Sequence, residues 1–362
     1  MLTAVRRNRG MGGRKDLLPD YLKFTALENC QVILDIGNNV TPEYVEYVEY
    51  SLNGKTWTHI NNTNTGQGAG VNINIPLQNG ESVMFRGKAV SYANPNSGTN
   101  WYSSFGFTGN VSASGNIMSL LDTQFEDLTT LNPSAFEYLF QSCEKLTTAP
   151  TLPATTLAKK CYYNMFLGCK GLVSAPELPA TSIAEQCYNG MFGGCTSLVN
   201  APSLPATDLA TLCYGGMFSG CTSLVNAPSL PATDLELSGS VWYGCYQNMF
   251  RGCTSLVNAP ALPATKLSNY CYQGMFNGCT SLVNAPILPA QTLKSSCYKE
   301  MFYGCTLLNK ITMLGTYLSG AFADWVRNVA TTGTFVKRSD VTNIPSGNSG
   351  IPTGWTIEDY VG

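Results

Sequence analysis

The side chains in this 362-residue chain best spaced for chemistry are its cysteines. Twelve of the fourteen form six pairs, each with two cysteines eight positions apart: Cys161/Cys169, Cys187/Cys195, Cys213/Cys221, Cys245/Cys253, Cys271/Cys279 and Cys297/Cys305. Paired zinc ligands are usually separated by about two to four residues and joined by histidine. The only histidine is His59, well outside the paired region. Disulfide scaffolds are typically small, secreted and irregularly spaced. A thiol repeated at one position suits the third chemistry, a small buried hydrophobe. Buried, reduced thiols are therefore the expectation, with disulfides and metal as the less favoured alternatives.

Other catalytic arrangements fare worse. A Ser/His/Asp or Cys/His centre would have to use His59, which follows an Asn53-Gly54 turn and reads as a surface strand residue. Glycoside hydrolysis needs two carboxylates held about 5–10 Å apart, and Glu177, Glu185, Asp208 and Asp234 show no repeated pairing. Gly54-Lys55-Thr56 has the tail of a phosphate loop, but Glu49 stands where its leading glycine belongs. No calcium-type acidic loop occurs. The chain reads as a non-enzyme without a cofactor.

The elements that position the cysteines come from an internal repeat. Cys-Tyr-x-x-Met-Phe-x-Gly-Cys recurs six times, its second cysteine at Cys169, Cys195, Cys221, Cys253, Cys279 and Cys305; every step is 26 residues except the 32 from Cys221 to Cys253. A fixed period in this range marks a stacked array whose units bury apolar faces only against their neighbours. In the unit ending at Cys221, Leu198, Val199 and Ala201 form a short apolar segment that Pro202 terminates. Such segments are expected to pair between units as short parallel strands. Leu209, Cys213, Met217 and Cys221 follow at helical spacing. The glycines limit this to one or two helical turns, partly 3-10. Cys195, Cys221, Cys253 and Cys279 form one structural ladder. Asn200, Asn226, Asn258 and Asn284 form another, expected to satisfy buried backbone groups between coils; a ligand-binding row of amides is the alternative.

Leu-Val-Asn-Ala-Pro together with Met-Phe-x-Gly-Cys-Thr-Ser-Leu resembles the BspA-like leucine-rich repeats of the Treponema-pallidum type, over roughly Ser134 to Asn309. The resemblance implies a right-handed solenoid of short parallel strands and short helical or 3-10 turns, with roles in adhesion and recognition. The units here are a few residues longer than the usual form of that repeat.

The flanks differ from the array. Glu49 to Ile60 is two alternating runs around Asn-Gly, a hairpin signal. Its Ser51-x-Asn-Gly-Lys-Thr-Trp57 is similar to the sialidase Asp-box hairpin, a fold element. Further strand candidates are Val71–Ile75, Ser82–Arg86 and Trp101–Phe107. The organisation read from these signals is a basic N-terminal arm (1–19), an antiparallel β-sandwich (20–118) and a leucine-rich-repeat solenoid with its leading cap (119–310). A small C-terminal cap (311–362) completes it. Solenoid ends need covering, and Trp325 and Trp355 are expected in the trailing cap's core. The segment from Trp101 and the ending Gly350-Ile-Pro-Thr-Gly-Trp355 are similar to the corresponding parts of Bacteroidetes repeat proteins, phage-borne ones included.

Charge and variation bear on partners. Net charge is −2 and charged residues make up 12% of the chain, without the basic stripe of a nucleic-acid binder. Arg6, Arg7, Arg9, Arg14 and Lys15 cluster at the start, with no signal-like apolar stretch and no membrane-spanning run anywhere. Within the repeats, agreement marks packing and variation marks solvent. The x of Met-Phe-x-Gly-Cys runs Leu167, Gly193, Ser219, Arg251, Asn277, Tyr303. The lengthened unit inserts Trp242 and Tyr243, and insertions in arrays often map to binding loops. Candidate ligand-binding residues are Trp242, Tyr243, Arg251, Tyr270, Asn277 and Tyr303; neutral surface variation is the alternative.

The expectation is an adhesion protein that contacts a bacterial surface protein or glycan through the solenoid and an assembly partner through residues 1–118. It is placed in a phage virion as a tail or head appendage, made in the host cytoplasm. A gut-bacterial cell-surface adhesin and a purely structural virion decoration are the alternatives. Nucleic acid and membrane insertion are not expected; a homo-oligomer is possible.

Overall fold

The computed structural model describes residues 19–65, 70–96, 102–237 and 243–361. The basic arm, Trp101 and Trp242 lie outside the described residues.

The first part is antiparallel β. Its strands are β1 (Leu22–Ala26), β2 (Cys30–Ile36), β3 (Val45–Ser51), β4 (Thr58–Asn61), β5 (Val71–Leu77), β6 (Ser82–Ala89), β7 (Ser104–Phe107) and β8 (Val111–Ser114). In β1 and β2 alternate residues are buried, as a strand with one face on a core requires. Two sheets result, with strand orders β4-β3-β6-β1-β8 and β5-β2-β7. Phe24 of β1 meets Phe105 and Phe107 of β7 with ring centroids 4.9 and 5.1 Å apart, so the sheets face each other across an aromatic core. The Asn53-Gly54 hairpin joins β3 and β4, with Gly54 at φ 69° and the Asn53 side chain accepting from the amides of Lys55 and Thr56.

The first sheet continues into the solenoid. The strand β9 (Leu146–Thr148), from the first coil, lies parallel to β8 as the sixth strand. One buried cluster runs from Leu22 to Trp355.

The motif stretches depart from the helical expectation. Among the described residues the only helices are three 3-10 segments, at Ile117–Leu120, Phe125–Asp127 and Ser319–Ala321, and none falls in a Cys-Tyr-x-x-Met-Phe-x-Gly-Cys stretch. Alternate amides instead bond in two directions. Within one coil, Met217 donates to Tyr214, Ser219 to Gly216 and Cys221 to Phe218, each three residues back. Tyr214, Gly216, Phe218 and Gly220 donate to Cys245, Gln247, Met249 and Arg251 of the next coil at 2.7–3.1 Å. Every fourth residue has positive φ: Leu212 (51°), Gly216 (58°) and Gly220 (75°). These are the third residues of alternate turns, where a type II turn requires φ above zero. An α-helix satisfies its amides internally, whereas this ribbon of overlapping turns sends half of them across the coil boundary. The spacing of four that looked helical is the period of two such turns.

The parallel strands are also shorter than expected. Ser174, Asn200, Asn226, Asn258 and Asn284 are joined by single parallel bridges. Pro202 and its equivalents follow two residues later without an amide donor. Among the described residues, coils pair with one another as named strands only at the end of the array, in a parallel sheet of β10 (Asn284–Leu288), β11 (Lys310–Met313), β12 (Thr334–Lys337) and β13 (Thr356–Asp359).

Aromatic columns fill the solenoid. Phe166 and Phe192 stack with centroids 5.6 Å apart and planes 2° apart; Tyr246 and Tyr272 are 5.9 Å and 1° apart. The sandwich supplies the top of the column, since Phe105 stacks on Phe140 at 5.4 Å and its amide donates to Leu139. The first coil is thus covered by the sandwich, and residues 134–142 already carry the same overlapping turns. At the far end Trp325 accepts from the Phe302 amide and lies over both Tyr298 and Phe302, with its indole N–H donating to Gly350. Trp325 and Trp355 are both buried.

Candidate binding surface

The turn ribbon presents three outward columns four residues apart, each stepping once per coil. The residue before Gly220 and its equivalents gives one of them. The amides of Gly220, Gly252, Gly278 and Gly304 donate to Arg251, Asn277, Tyr303 and Arg327 at 2.7–2.8 Å, fixing Ser219, Arg251, Asn277, Tyr303 and Arg327 in five successive coils. Adjacent coils stand about 4.8 Å apart, as hydrogen-bonded strands do. Four residues earlier, Gln247, Gln273 and Lys299 form a second column, in which the Gln247 side-chain Nε2 donates to Gln273 Oε1 at 3.1 Å. Four earlier again stand Tyr243, Asn269 and Ser295, and the Asn269 side chain accepts from the Ser295 amide.

This places the expected residues. Arg251, Asn277 and Tyr303 share one column; Tyr243 is 53% exposed at its other edge; Tyr270 is half-buried beside Asn269 and carries positive φ (59°). Trp242 is outside the described residues. Gly244 has no room for a side chain, because a Cβ there would lie 2.2 Å from the Tyr270 carbonyl oxygen. The 32-residue step therefore returns to the common path through a glycine.

Arg327 escaped the sequence reading. Its coil begins 24 residues after its predecessor and has Trp325-Val326-Arg327-Asn328 in place of Met-Phe-x-Gly. Asn328, at φ 61°, takes the position of the glycine, and asparagine is the commonest substitute there. An aromatic, an apolar residue, any residue and then Asn was the available signal. The Arg327 guanidinium lies 5.7 Å from the Tyr303 ring centroid.

The ladders are distributed differently from expectation. The Asn200, Asn226, Asn258 and Asn284 side chains are exposed, not buried between coils, and Asn226 donates to Asn200 Oδ1 at 3.1 Å. Their position follows a single bridge on the coil's exterior, beside Val199 and Val225, which are 39% and 40% exposed. Cys195, Cys221, Cys253 and Cys279 are buried, and each thiol donates to a phenylalanine carbonyl one coil back at 3.0–3.1 Å. All fourteen cysteines are free and buried. Desolvation pushes the thiols of Cys161, Cys213, Cys221, Cys297 and Cys305 up to about 12, which holds them in the unreactive protonated form.

His59 lies exposed on β4, its Nδ1 3.1 Å from Glu49 and its Nε2 3.1 Å from Asn61. The hydrogen bond to Glu49 raises its pKa. Glu49 also accepts from Arg86 Nε at 2.5 Å, and Arg86 lies 4.1 Å from the Trp57 ring centroid. Desolvation opposes ionisation of Glu49, but its bonds to His59 and Arg86 outweigh it and lower the pKa.

Fold and surface together define a class: a repeat solenoid of stacked, turn-built coils closed at its start by antiparallel sheets, with constant residues inside and changing residues outside. No family model, curated protein or solved structure matches the chain.

Proposed function

We propose that this is a non-enzymatic recognition protein whose turn-ribbon face binds a bacterial surface protein or glycan. The observation that carries the reading is the contrast between columns. Tyr, Met, Phe and Cys repeat unchanged and fully buried from coil to coil, while the outward column runs Ser219, Arg251, Asn277, Tyr303, Arg327. Packing holds the first set constant. The second set changes chemistry at every step along a rigid frame, as a surface shaped for a ligand does.

The buried leucine column of Leu172, Leu198, Leu224, Leu256, Leu282 and Leu308 supports assigning the coils to the BspA-like leucine-rich repeats. On this reading the sandwich is the attachment module and the protein is a virion appendage. Fourteen free, buried thiols suit a chain that folds in a reducing compartment, since disulfides persist in oxidising ones.

The test is binding of the full-length protein to intact strains of gut bacteria. Strain-selective binding that is lost when Arg251, Asn277 and Tyr303 are changed together to Ser, and kept when Thr207, Thr233 and Thr265 are changed together to Ser, supports the reading. Binding to no strain, or equal loss in both variants, refutes it.

A further inference from the structure

The described residues include four arginines, and two of them, Arg86 and Arg338, are ion-paired with carboxylates. Arg251 and Arg327 make no ion pair among the described residues; both are exposed, and both stand in the same outward column. Between them lie Asn277, an amide donor and acceptor, and Tyr303, whose ring lies beside the Arg327 guanidinium. Lys299 flanks Tyr303 in the neighbouring column and shares its charge with Glu300 at 3.7 Å. Three coil steps separate the two arginines, about 14 Å at the spacing of hydrogen-bonded strands.

We infer that this column binds an acidic polysaccharide laid along the solenoid axis. Two guanidinium groups without an ion pair among the described residues call for two carboxylates, which arginine pairs in bidentate fashion. The amide and the phenol between them suit hydroxyl groups. A ligand meeting successive coils with successive units must repeat at close to the coil spacing, and an extended β-linked hexuronic acid chain does. With the chain twisted so that its first and fourth carboxylates face the same side, these meet Arg251 and Arg327, while the second and third sugars lie over Asn277 and Tyr303. The inference rests on the recognition reading above and gives it a ligand class.

The experiment is calorimetric titration of the full-length protein with alginate oligosaccharides of increasing length, alongside neutral dextran oligosaccharides and single-stranded DNA of matching charge. Expected is binding of alginate that strengthens sharply between the trisaccharide and the tetrasaccharide, with no binding of dextran. Arg251→Gln and Arg327→Gln should each weaken the tetrasaccharide about tenfold or more, the usual worth of a hydrogen bond to a charged group. Both side chains are exposed, so an unchanged melting temperature shows that the variants fold. Equal affinity for DNA, the same affinity for disaccharide and tetrasaccharide, or indifference to both substitutions overturns the inference. If alginate fails to bind while strain-selective cell binding persists, the acidic-chain inference falls and the recognition reading stands.

Discussion

The thiol of Cys221 donates to the carbonyl of Phe192, one coil back, at 3.0 Å, and that carbonyl also accepts the amide of Cys195. The same relation recurs from Cys143 with Phe105 to Cys305 with Phe276, so the first link ties the solenoid to the sandwich. The repeated cysteine is a bond between coils as well as a filler. Cys221→Ala removes that weak donor and leaves a small cavity, and is expected to cost about 1–2 kcal/mol in urea denaturation. No measurable loss would mean that neither the bond nor the packing of this thiol contributes to stability.

Thiol chemistry follows from burial. The native protein is expected to react slowly with a thiol reagent at neutral pH, and the denatured protein without reductant to titrate close to fourteen thiols. A titre lowered by six pairs would contradict the free-thiol structure and the reducing-compartment argument together.

The phenylalanine column sets the cost of an internal break. Phe218 stacks on Phe192 at 5.8 Å and on Phe250 at 5.7 Å. Phe218→Ala is expected to lose about 3–5 kcal/mol. In a stacked array, where each coil rests on its neighbours, the loss should appear as two separated unfolding steps by hydrogen exchange. A single unbroken transition would show the coils to be coupled more widely.

Turn geometry gives a separate test. Gly220 has φ 75°, and a Cβ there would meet nothing nearer than 3.6 Å, so Gly220→Ala carries backbone strain without a clash. Destabilisation of about 1–2 kcal/mol is expected by thermal denaturation. Gly244→Ala should cost more, because its Cβ would overlap the Tyr270 carbonyl.

His59 is the only histidine and so reports on its own titration. Its pKa is raised from the ordinary 6.5, first by the hydrogen bond to Glu49. The stability it adds is complete below the unfolded value and is lost as pH rises through the folded one. Glu49 has the opposite sign: its lowered pKa adds stability above the ordinary 4.5 that is lost as pH falls through the folded value. Proton NMR should place the His59 midpoint above 6.5, and Glu49→Gln should lower it. A midpoint unmoved by that substitution would remove Glu49 as the cause.

Much of this architecture was legible from spacing alone. Period, inter-coil register and the burial of Cys, Tyr, Met and Phe follow from residues that repeat together. The ribbon was not legible, because Cys213, Met217 and Cys221 at intervals of four fit a helix as well as paired turns. Only the positive φ of Leu212, where the sequence has no glycine, and the cross-coil amides separate the two. The asparagine row was misplaced for a related reason: repetition reveals a column but not which way it faces. The column of Arg251, Asn277 and Tyr303 is legible because these residues vary where their neighbours agree, and its continuation to Arg327 is not, because that coil is two residues short.

The most direct test of the recognition surface is hydrogen exchange on the full-length protein, with and without purified surface polymer from a strain it binds. The account predicts new protection in segments 247–251, 273–277, 299–303 and 325–327, on successive coils of one face. Protection confined to the segments around the exposed Thr207, Thr233 and Thr265, or to the sandwich, would contradict it.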